Sequence, residues 1–506
     1  MHQLAIVIMG PSQEQALAQI EAARPFADVL EFRLDHFIFD DLSELVAHAR
    51  PIPLIFTYRK ASEGGARPNL TEADRQAHLK QALSWRPTYC DLEKDTDASL
   101  ANTYPQVTWI RSHHDFEKTP LDLEGLVAEM HHPSFAITKL ALKANRTVDM
   151  LRLMAFAWAQ QEPLIAISLG PLGLPSRVIG PIVGSPIGYS SFEIHDWKPD
   201  FLMSWFHYRS LNRDTKIYAL LGCPVDASVG DQFHNQWFQE HGINAVYVKL
   251  HIEPEELAEA IYWIRRLPFA GLSVTMPHKE TIIPLLDALD PDARAIGAVN
   301  TVLFNAGKAI GYNTDGQGAL AALGNKIYHF HLNGTQKGLI QSLGVKFLRG
   351  GYVLSNTNPP LRQFNRESFQ FSPFGCASGG SGIGRVAILG AGGTARAIAH
   401  VCEKAGGAVR VYNRSRERAE EWTTWHPLEE VGDYDILINT IPLIDASPIS
   451  PERIVPGSTV LDVVQKPPLT PLLKLAEERG ARIVFGSRMF EAQAIEQQRI
   501  WGSRLQ

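Results

Sequence analysis

Short apolar runs recur through the first two hundred residues of the chain: LAIVIM, VLEFRL, PLIFTY, YCDLEK, VTWIRSHH, FAITKLA, LIAISLG and VIGPIVG. Most are separated by segments whose apolar residues return every three or four positions, such as QEQALAQIEAA, LSELVAHA, ADRQAHLKQALS, LEGLVAEM and TVDMLRLMAFAWA. Unbroken apolar runs predict buried strands, and the longer spacing predicts helices with one apolar face. Eight such alternations in about 200 residues predict a parallel sheet rolled into a (β/α)8 barrel. WKPDFLMSWFHYRSLNR then reads as a terminal helix and linker whose aromatics pack between domains. Beyond it, TKIYALLG and NAVYVKLHI read as strands, EPEELAEAIYWIRRL as a helix with acids at its start, and GLSVTMPHK as a third strand with its loop.

Charged residues interrupt the barrel pattern where a barrel carries its chemistry, at the C-terminal ends of the strands. Glu31 and Arg33 end the second run, Arg59 follows the third, Asp91 and Glu93 lie in the fourth, His114 ends the fifth, and Lys139 lies within the sixth. Singly, each has a structural reading: a salt-bridged pair, a capped surface histidine, a snorkelling lysine. Lys139 between IT and LAL is harder to place that way. A desolvated lysine has a lowered pKa and is a competent amine nucleophile toward a ketone.

From Gly271 to Gly318 the chain concentrates short polar side chains beside apolar ones, in GLSVTMPHK and IGAVNTVLFNAGKAIGYNTDGQG. Lys279 and Asp315 offer a cation and a carboxylate, surrounded by Ser273, Thr275, Asn300, Thr301, Asn313 and Thr314. Half-buried polar groups need partners. The hydroxyls of a small polyol would supply them, and so would a self-satisfied loop network.

Composition narrows the field. The 506 residues fill about three domains. With 45% hydrophobic residues, 20% charged residues and a net charge of -6, ordinary cores form, and no basic stripe with interleaved aromatics points to nucleic acid. The four cysteines, at 90, 223, 376 and 402, are too scattered for a disulfide framework or a paired-cysteine zinc site. No metal is predicted, and a reducing cytoplasm fits. The first apolar run is too short for a signal peptide or a membrane span.

LEFRLD, TYRKASEGG, SHHDFEKTP, ITKLA and ISLGPLGLPSR, in this order at successive strand ends, resemble the type I 3-dehydroquinate dehydratases over nearly the whole barrel. The resemblance implies that Lys139 forms a Schiff base with the substrate ketone and that His114 removes the neighbouring proton and assists loss of water. It implies that Glu31, Arg33, Arg59 and Glu63 hold hydroxyls and the ketone end, and that Arg177 clamps the carboxylate. The family's lid carries a Gly-Gln pair, whereas this chain reads GSPIGYSSFEIHDWKPDF, with Pro199 and Asp200 near that place. An aspartate there is expected to oppose an anionic substrate.

From about Thr215 to the end, GCPVDAS with HN, VTMPHK, GAVNTV, NTDGQG, GAGGTARA, NRSRERA, LINTIPL and GSRMFEAQA resemble the shikimate dehydrogenases. By that resemblance Lys279 and Asp315 are the catalytic pair, Ser228 binds the substrate carboxylate, and Thr275, Asn300 and Gln493 bind its hydroxyls. Gly230, Ser273 and Gln465 depart from the family's serine, asparagine and tyrosine.

A strand, a glycine turn and a helix follow in RVAILGAGGTARAIAHVCEKAGG. Gly390, Ala391, Gly392 and Gly393 read as the turn that lets a pyrophosphate approach a helix N-terminus. At the end of the next strand stand Asn413, Arg414, Ser415 and Arg418 in place of an acid, which fits the 2'-phosphate of NADP(H).

The predicted organisation is α/β throughout. A TIM barrel over 1–212 precedes a two-domain dehydrogenase unit, with a substrate-binding domain over 213–322 completed by 485–506 and a Rossmann-type NADP domain over 384–484. Residues 323–383 read as an atypical surface insert, ordered only in part: from about Asn325 the sole acid is Glu367, and the tract ends in GCASGGSG. The product of the first resemblance's reaction is the substrate of the second's. The chain therefore reads as a bifunctional enzyme that converts 3-dehydroquinate through 3-dehydroshikimate to shikimate, with small-molecule partners. Two alternatives stay open: activity in the dehydrogenase half alone, with shikimate or quinate, and a ligand-sensing regulator that retains both folds.

Overall fold

The computed structural model describes residues 2–192, 198–324 and 383–502. The predicted insert lies outside the described residues, apart from its two ends, as does the stretch 193–197 of the barrel's last loop. The chain forms two compact units, one of Met1–Asp315 with Gln493–Gln506 and one of Gly316–Ala492.

The first unit opens with eight parallel strands, β1 (Gln3–Ile8), β2 (Val29–Arg33), β3 (Leu54–Thr57), β4 (Tyr89–Glu93), β5 (Thr108–Asp115), β6 (Ile137–Lys143), β7 (Leu164–Leu169) and β8 (Ile187–Ser190). Each pairs with its sequence neighbour from β1 to β7, and β8 returns to β1. The barrel is nearly closed: beside the seam between β7 and β8, the Ser185 hydroxyl accepts the Ala166 N–H at 3.1 Å. Strand periodicity sorts the interior. On β2, β4, β5 and β6, Val29, Tyr89, Ile110 and Ile137 help fill the barrel. Two and four residues further on, the same faces carry Glu31, Asp91, Glu93, Ser112, His114 and Lys139.

One predicted strand is corrected. VIGPIVG belongs to the helix Ser176–Val183, and the eighth strand is the four-residue IGYS that follows. Nearly every side of that helix is buried, so no polar face betrays its period. The predicted terminal segment begins with the helix Pro199–Phe206.

Six strands form the second sheet: β9 (Lys216–Gly222), β10 (Ala245–His251), β11 (Phe269–Val274), β12 (Ala288–Leu289), β13 (Thr301–Asn305) and β14 (Lys308–Tyr312). Their order is β10-β9-β11-β13-β14-β12. The final helix, Gly486–Gly502, ends in this sheet's core. Trp501 is 1% exposed, its indole N–H donates to the Val302 carbonyl at 3.1 Å, and its ring lies 4.7 Å from that of Tyr218. Gly271 has no side chain because a Cβ there would come within 2.4 Å of the Trp501 indole nitrogen.

In the second unit all pairs are parallel, in the order β17 (Trp425–His426), β16 (Ala408–Tyr412), β15 (Arg385–Leu389), β18 (Ile436–Asn439), β19 (Thr459–Asp462), β20 (Arg482–Val484). Counted from β15, this is the 3-2-1-4-5-6 order of a dinucleotide-binding sheet, which reverses direction beside β15.

Trp501→Ala should destabilise the second sheet by about 3–5 kcal/mol, the usual cost of removing a buried tryptophan. A lowered urea midpoint, followed by circular dichroism, is the expected reading.

Candidate active sites

Lys139 projects from the middle of β6 into the barrel and is 3% exposed. It is buried as its flanks predict, but not among apolar groups alone. Its ammonium lies 3.1 Å from Asp91 Oδ2 and 3.9 Å from Glu31 Oε1, and 4.0 Å above the Tyr189 ring. Asp91 Oδ2 also meets Arg59 Nη2 at 2.9 Å, while Oδ1 accepts the Ser112 hydroxyl. Arg59 Nη1 donates to Ser112 Oγ at 2.7 Å and meets Glu93 Oε1 at 3.1 Å. Burial alone would raise the Asp91 carboxyl, but the charges of Arg59 and Lys139 outweigh it and hold it well below the usual range.

His114, near the end of β5, is oriented by Glu63. Both its Nδ1, at 2.9 Å, and its backbone N–H, at 3.0 Å, reach Glu63 Oε2. Burial would raise Glu63, yet hydrogen bonds from His113 and His114 hold it at about 2. An ionised carboxylate accepts only, so Nδ1 carries the proton and Nε2 keeps its lone pair. Burial, and then the nearby Arg59 charge, lower His114 to about 3. The imidazole is therefore neutral and able to take a proton.

Glu31, Arg59 and Lys139 thus share one ion-pair network with Asp91 at the C-terminal mouth of the barrel, and the Glu63–His114 pair is coupled to it through the charges of Arg59 and Lys139. Arg33 is held by two hydrogen bonds of 2.9 Å to Asp35 and one of 3.2 Å to the Gly64 carbonyl, next to Glu63. Arg177 stands in the first turn of the helix after β7. Asp200 is exposed in the first turn of Pro199–Phe206, where the helix dipole favours an acid. Motif reading named Asp91 only as a strand-end acid and missed Ser112 and Tyr189. Period-two alternation from Ile110 and from Ile187 would have pointed both inward. The Tyr189 hydroxyl is buried with no hydrogen-bond partner among the described residues, and burial pushes it well above the ordinary phenol range.

The second polar cluster is built on the loops after β11 and β14. Lys279 Nζ meets Asp315 Oδ2 at 2.5 Å, and Asn300 Nδ2 donates to Asp315 Oδ1 at 2.8 Å. The same amide lies 2.9 Å from Thr314 Oγ1 and 3.0 Å from Gln493 Oε1. The Thr314 hydroxyl in turn lies 3.4 Å from Gln493 Oε1 and 3.3 Å from Asn300 Oδ1, so amide and hydroxyl groups interlock around the ion pair. Thr275 packs its methyl on Gly222, where a Cβ would come within 2.2 Å of it.

Ser228 accepts the Gly230 N–H at 3.1 Å. A Cβ on Gly230 would stand 3.3 Å from both Ser228 Oγ and the Tyr247 hydroxyl. That hydroxyl bonds Ser273, which donates to Gln497 Oε1 at 3.0 Å. Tyr247 therefore links the two departures, occupying space beside Gly230 and satisfying Ser273. Gln497 was missed, although it lies four residues after Gln493 on the same helix face.

At the switch point of the parallel sheet, Gly390 adopts φ +105°, and a Cβ there would come within 2.3 Å of Thr440 Oγ1. Only glycine fits. Ala391 is buried, Gly392 caps the helix Gly393–Lys404, and Arg418 Nη2 comes within 3.8 Å of where a Gly392 Cβ would stand. Arg414, Ser415 and Arg418 are exposed just beyond β16, with Asn413 holding the Ser415 carbonyl at 2.9 Å. A bare backbone at a helix start with cations beside it fits a phosphorylated dinucleotide.

The type I 3-dehydroquinase family model matches residues 4–201, and that of the shikimate dehydrogenase substrate binding domain matches 220–302. The chain is 30% identical to the bifunctional 3-dehydroquinate dehydratase/shikimate dehydrogenase, chloroplastic, of Arabidopsis thaliana, over 97% of this chain and 80% of that one. It is 28% identical to the shikimate biosynthesis protein AroDE of Chlamydia muridarum (strain MoPn / Nigg), over 98% and 94%. To the shikimate dehydrogenase (NADP(+)) of Aquifex aeolicus (strain VF5) it is 33% identical, over 58% and 93%. The chain belongs to the family of bifunctional 3-dehydroquinate dehydratases and shikimate dehydrogenases.

Proposed function

We infer that this chain is a bifunctional enzyme that dehydrates 3-dehydroquinate in its barrel and reduces the product, 3-dehydroshikimate, to shikimate with NADPH. The observation that carries the residue assignment is the buried Lys139 ammonium held between Asp91 and Glu31 and coupled by its charge to a histidine whose tautomer Glu63 sets. The relatives spanning the chain are named for both activities or for shikimate biosynthesis as a whole, which favours this reading over one active half or a regulator.

In the barrel, Lys139 Nζ as the free amine attacks the substrate ketone, and loss of water leaves an iminium. His114 Nε2 takes the proton from the adjacent carbon, and the released electron pair moves into the iminium to give an enamine. The enamine then expels the β-hydroxyl, which leaves as water with the proton from His114. Hydrolysis returns Lys139 and the product. Asp91 and Glu31 stabilise the cationic iminium, and Glu63 stabilises the imidazolium while it lasts. Arg33 and Arg177 remain proposed contacts to substrate, Arg177 to its carboxylate.

In the dehydrogenase half, NADPH supplies the hydride when bound. Lys279 donates the proton or positive charge that the new alkoxide requires, and Asp315 positions Lys279 through their ion pair. Ser228 holds the substrate carboxylate, while Thr275, Asn300 and Gln493 hold its hydroxyls. Gly390, Ala391, Gly392 and Gly393 would cradle the pyrophosphate, and Asn413, Arg414, Ser415 and Arg418 the 2'-phosphate. The proposed domains keep the boundaries 1–212, 213–322 with 485–506, and 384–484. A cytoplasmic setting is proposed from the free thiols of Cys90, Cys223 and Cys402; among the described residues no helix is long and apolar enough to cross a membrane.

Lys139→Ala should lower dehydration more than about 1000-fold and abolish borohydride trapping of the substrate, leaving reduction of 3-dehydroshikimate intact. Lys279→Ala should do the reverse, lowering reduction by about 100-fold or more. Dehydration at an unchanged rate in the first variant would remove the Schiff-base assignment. Because burial keeps His114 neutral until about pH 3, NMR of its ring should show no protonation step near pH 6.5 and the neutral tautomer down to about pH 4. An ordinary imidazole would titrate at about 6.5. Arg414→Ala should raise the KM for NADPH about tenfold or more, the cost of a lost charged hydrogen bond, and leave that for NADH unchanged in steady-state assays.

A further inference from the structure

Cys223 follows the last residue of β9, and His251 is the last residue of the adjoining β10. Because His251 pairs with Gly222 in the parallel ladder, the two side chains start from neighbouring strand ends. Glu253, two residues on, enters from the turn that opens Pro254–Glu256. Their heteroatoms converge: Cys223 Sγ is 3.3 Å from His251 Nε2 and 3.2 Å from Glu253 Oε2, and His251 Nε2 is 3.0 Å from Glu253 Oε1. Neither Schiff-base chemistry nor carbonyl reduction uses these residues.

We propose that Cys223, His251 and Glu253 form a site for one thiophilic divalent cation of the zinc class. Tetrahedral zinc takes sulfur at about 2.3 Å, imidazole nitrogen at about 2.0–2.1 Å and carboxylate oxygen at about 2.0–2.2 Å. Those bond lengths separate the donors by roughly 3.3–3.6 Å, so the observed spacings need open by only a few tenths of an ångström. One soft, one borderline and one hard donor exclude magnesium and calcium, which take oxygen shells. Three protein ligands leave the fourth position for water. With side-chain exposures of 30% for His251 and 52% for Glu253, an ion has a path in.

The donors sit on backbone that is already fixed. Cys223 N–H donates to the Met276 carbonyl at 2.9 Å, Ile252 N–H to the Gly222 carbonyl at 2.9 Å, and Glu253 N–H to Glu256 Oε2 at 3.1 Å. The His251 carbonyl accepts the Thr147 hydroxyl from the barrel helix Thr147–Ala159. The ion would clip the start of the loop carrying Ser228, and through the Met276 contact it would brace the turn that carries Thr275 and Lys279. Reading the cysteines alone could not find the site, because two of its three ligands are not cysteines.

The test is zinc titration of the full-length chain, stripped with chelator, against a chromophoric competitor. One ion per chain is expected, with affinity lowered more than about tenfold in both Cys223→Ser and Glu253→Gln and unchanged in Cys402→Ser. Cobalt substitution should give a thiolate-to-metal charge-transfer band that disappears in Cys223→Ser. Retained dehydratase activity together with a parental urea midpoint by circular dichroism shows that both the barrel and the second sheet are folded in each variant. Binding that is absent, or identical in the parent and in Cys223→Ser and Glu253→Gln, overturns the proposal.

Discussion

An ammonium inside a barrel persists only if the wall around it answers its charge. Lys139 is answered by Asp91 and Glu31, and Asp91 is shared with Arg59, which is shared in turn with Glu93 and Ser112. Removing one member of a buried ionic network leaves another charge uncompensated, a loss of about 3–5 kcal/mol. That exceeds what any single methyl group in the barrel contributes. The network therefore constrains the mouth of the barrel as firmly as packing constrains its floor.

The dehydrogenase half solves a related problem with fewer ions. Only Lys279 and Asp315 carry charge in its central cluster, and the amide of Asn300 distributes hydrogen bonds to Thr314, Asp315 and Gln493. Neutral amides and hydroxyls pair at lower desolvation cost than ions, so this cluster needs no wider network of charges.

Legibility in the sequence followed burial pattern. Strands with a buried apolar run and a charged end, such as β2 and β6, were visible because both signals fall within a few residues. The eighth was not: IGYS is short, and the fully buried helix before it looks more like a strand than the strand does. Motifs marked Lys139, His114, Lys279 and Asp315 as candidates, because each stands inside its own short motif. They did not locate Asp35, which captures Arg33 from two residues away, or the link from Gly230 through Tyr247 to Ser273. That link joins three separate segments, so no single motif contains it. Exposed Arg414 and Arg418 were legible for the opposite reason, since cations without an acid at the end of β16 carry their meaning in composition alone.

The last helix brings Gln493 against Asn300 and places Gln497 and Trp501 in hydrogen bonds to residues near position 300, about two hundred positions earlier in the chain. The barrel's ladder, by contrast, joins sequence neighbours except where β8 meets β1. A chain emerging N-terminus first therefore completes the barrel's contacts in order, while the second sheet waits for the helix Gly486–Gly502. During synthesis the barrel can close first, and the polar cluster around Asn300 stays unfinished, open to water, until that helix has emerged.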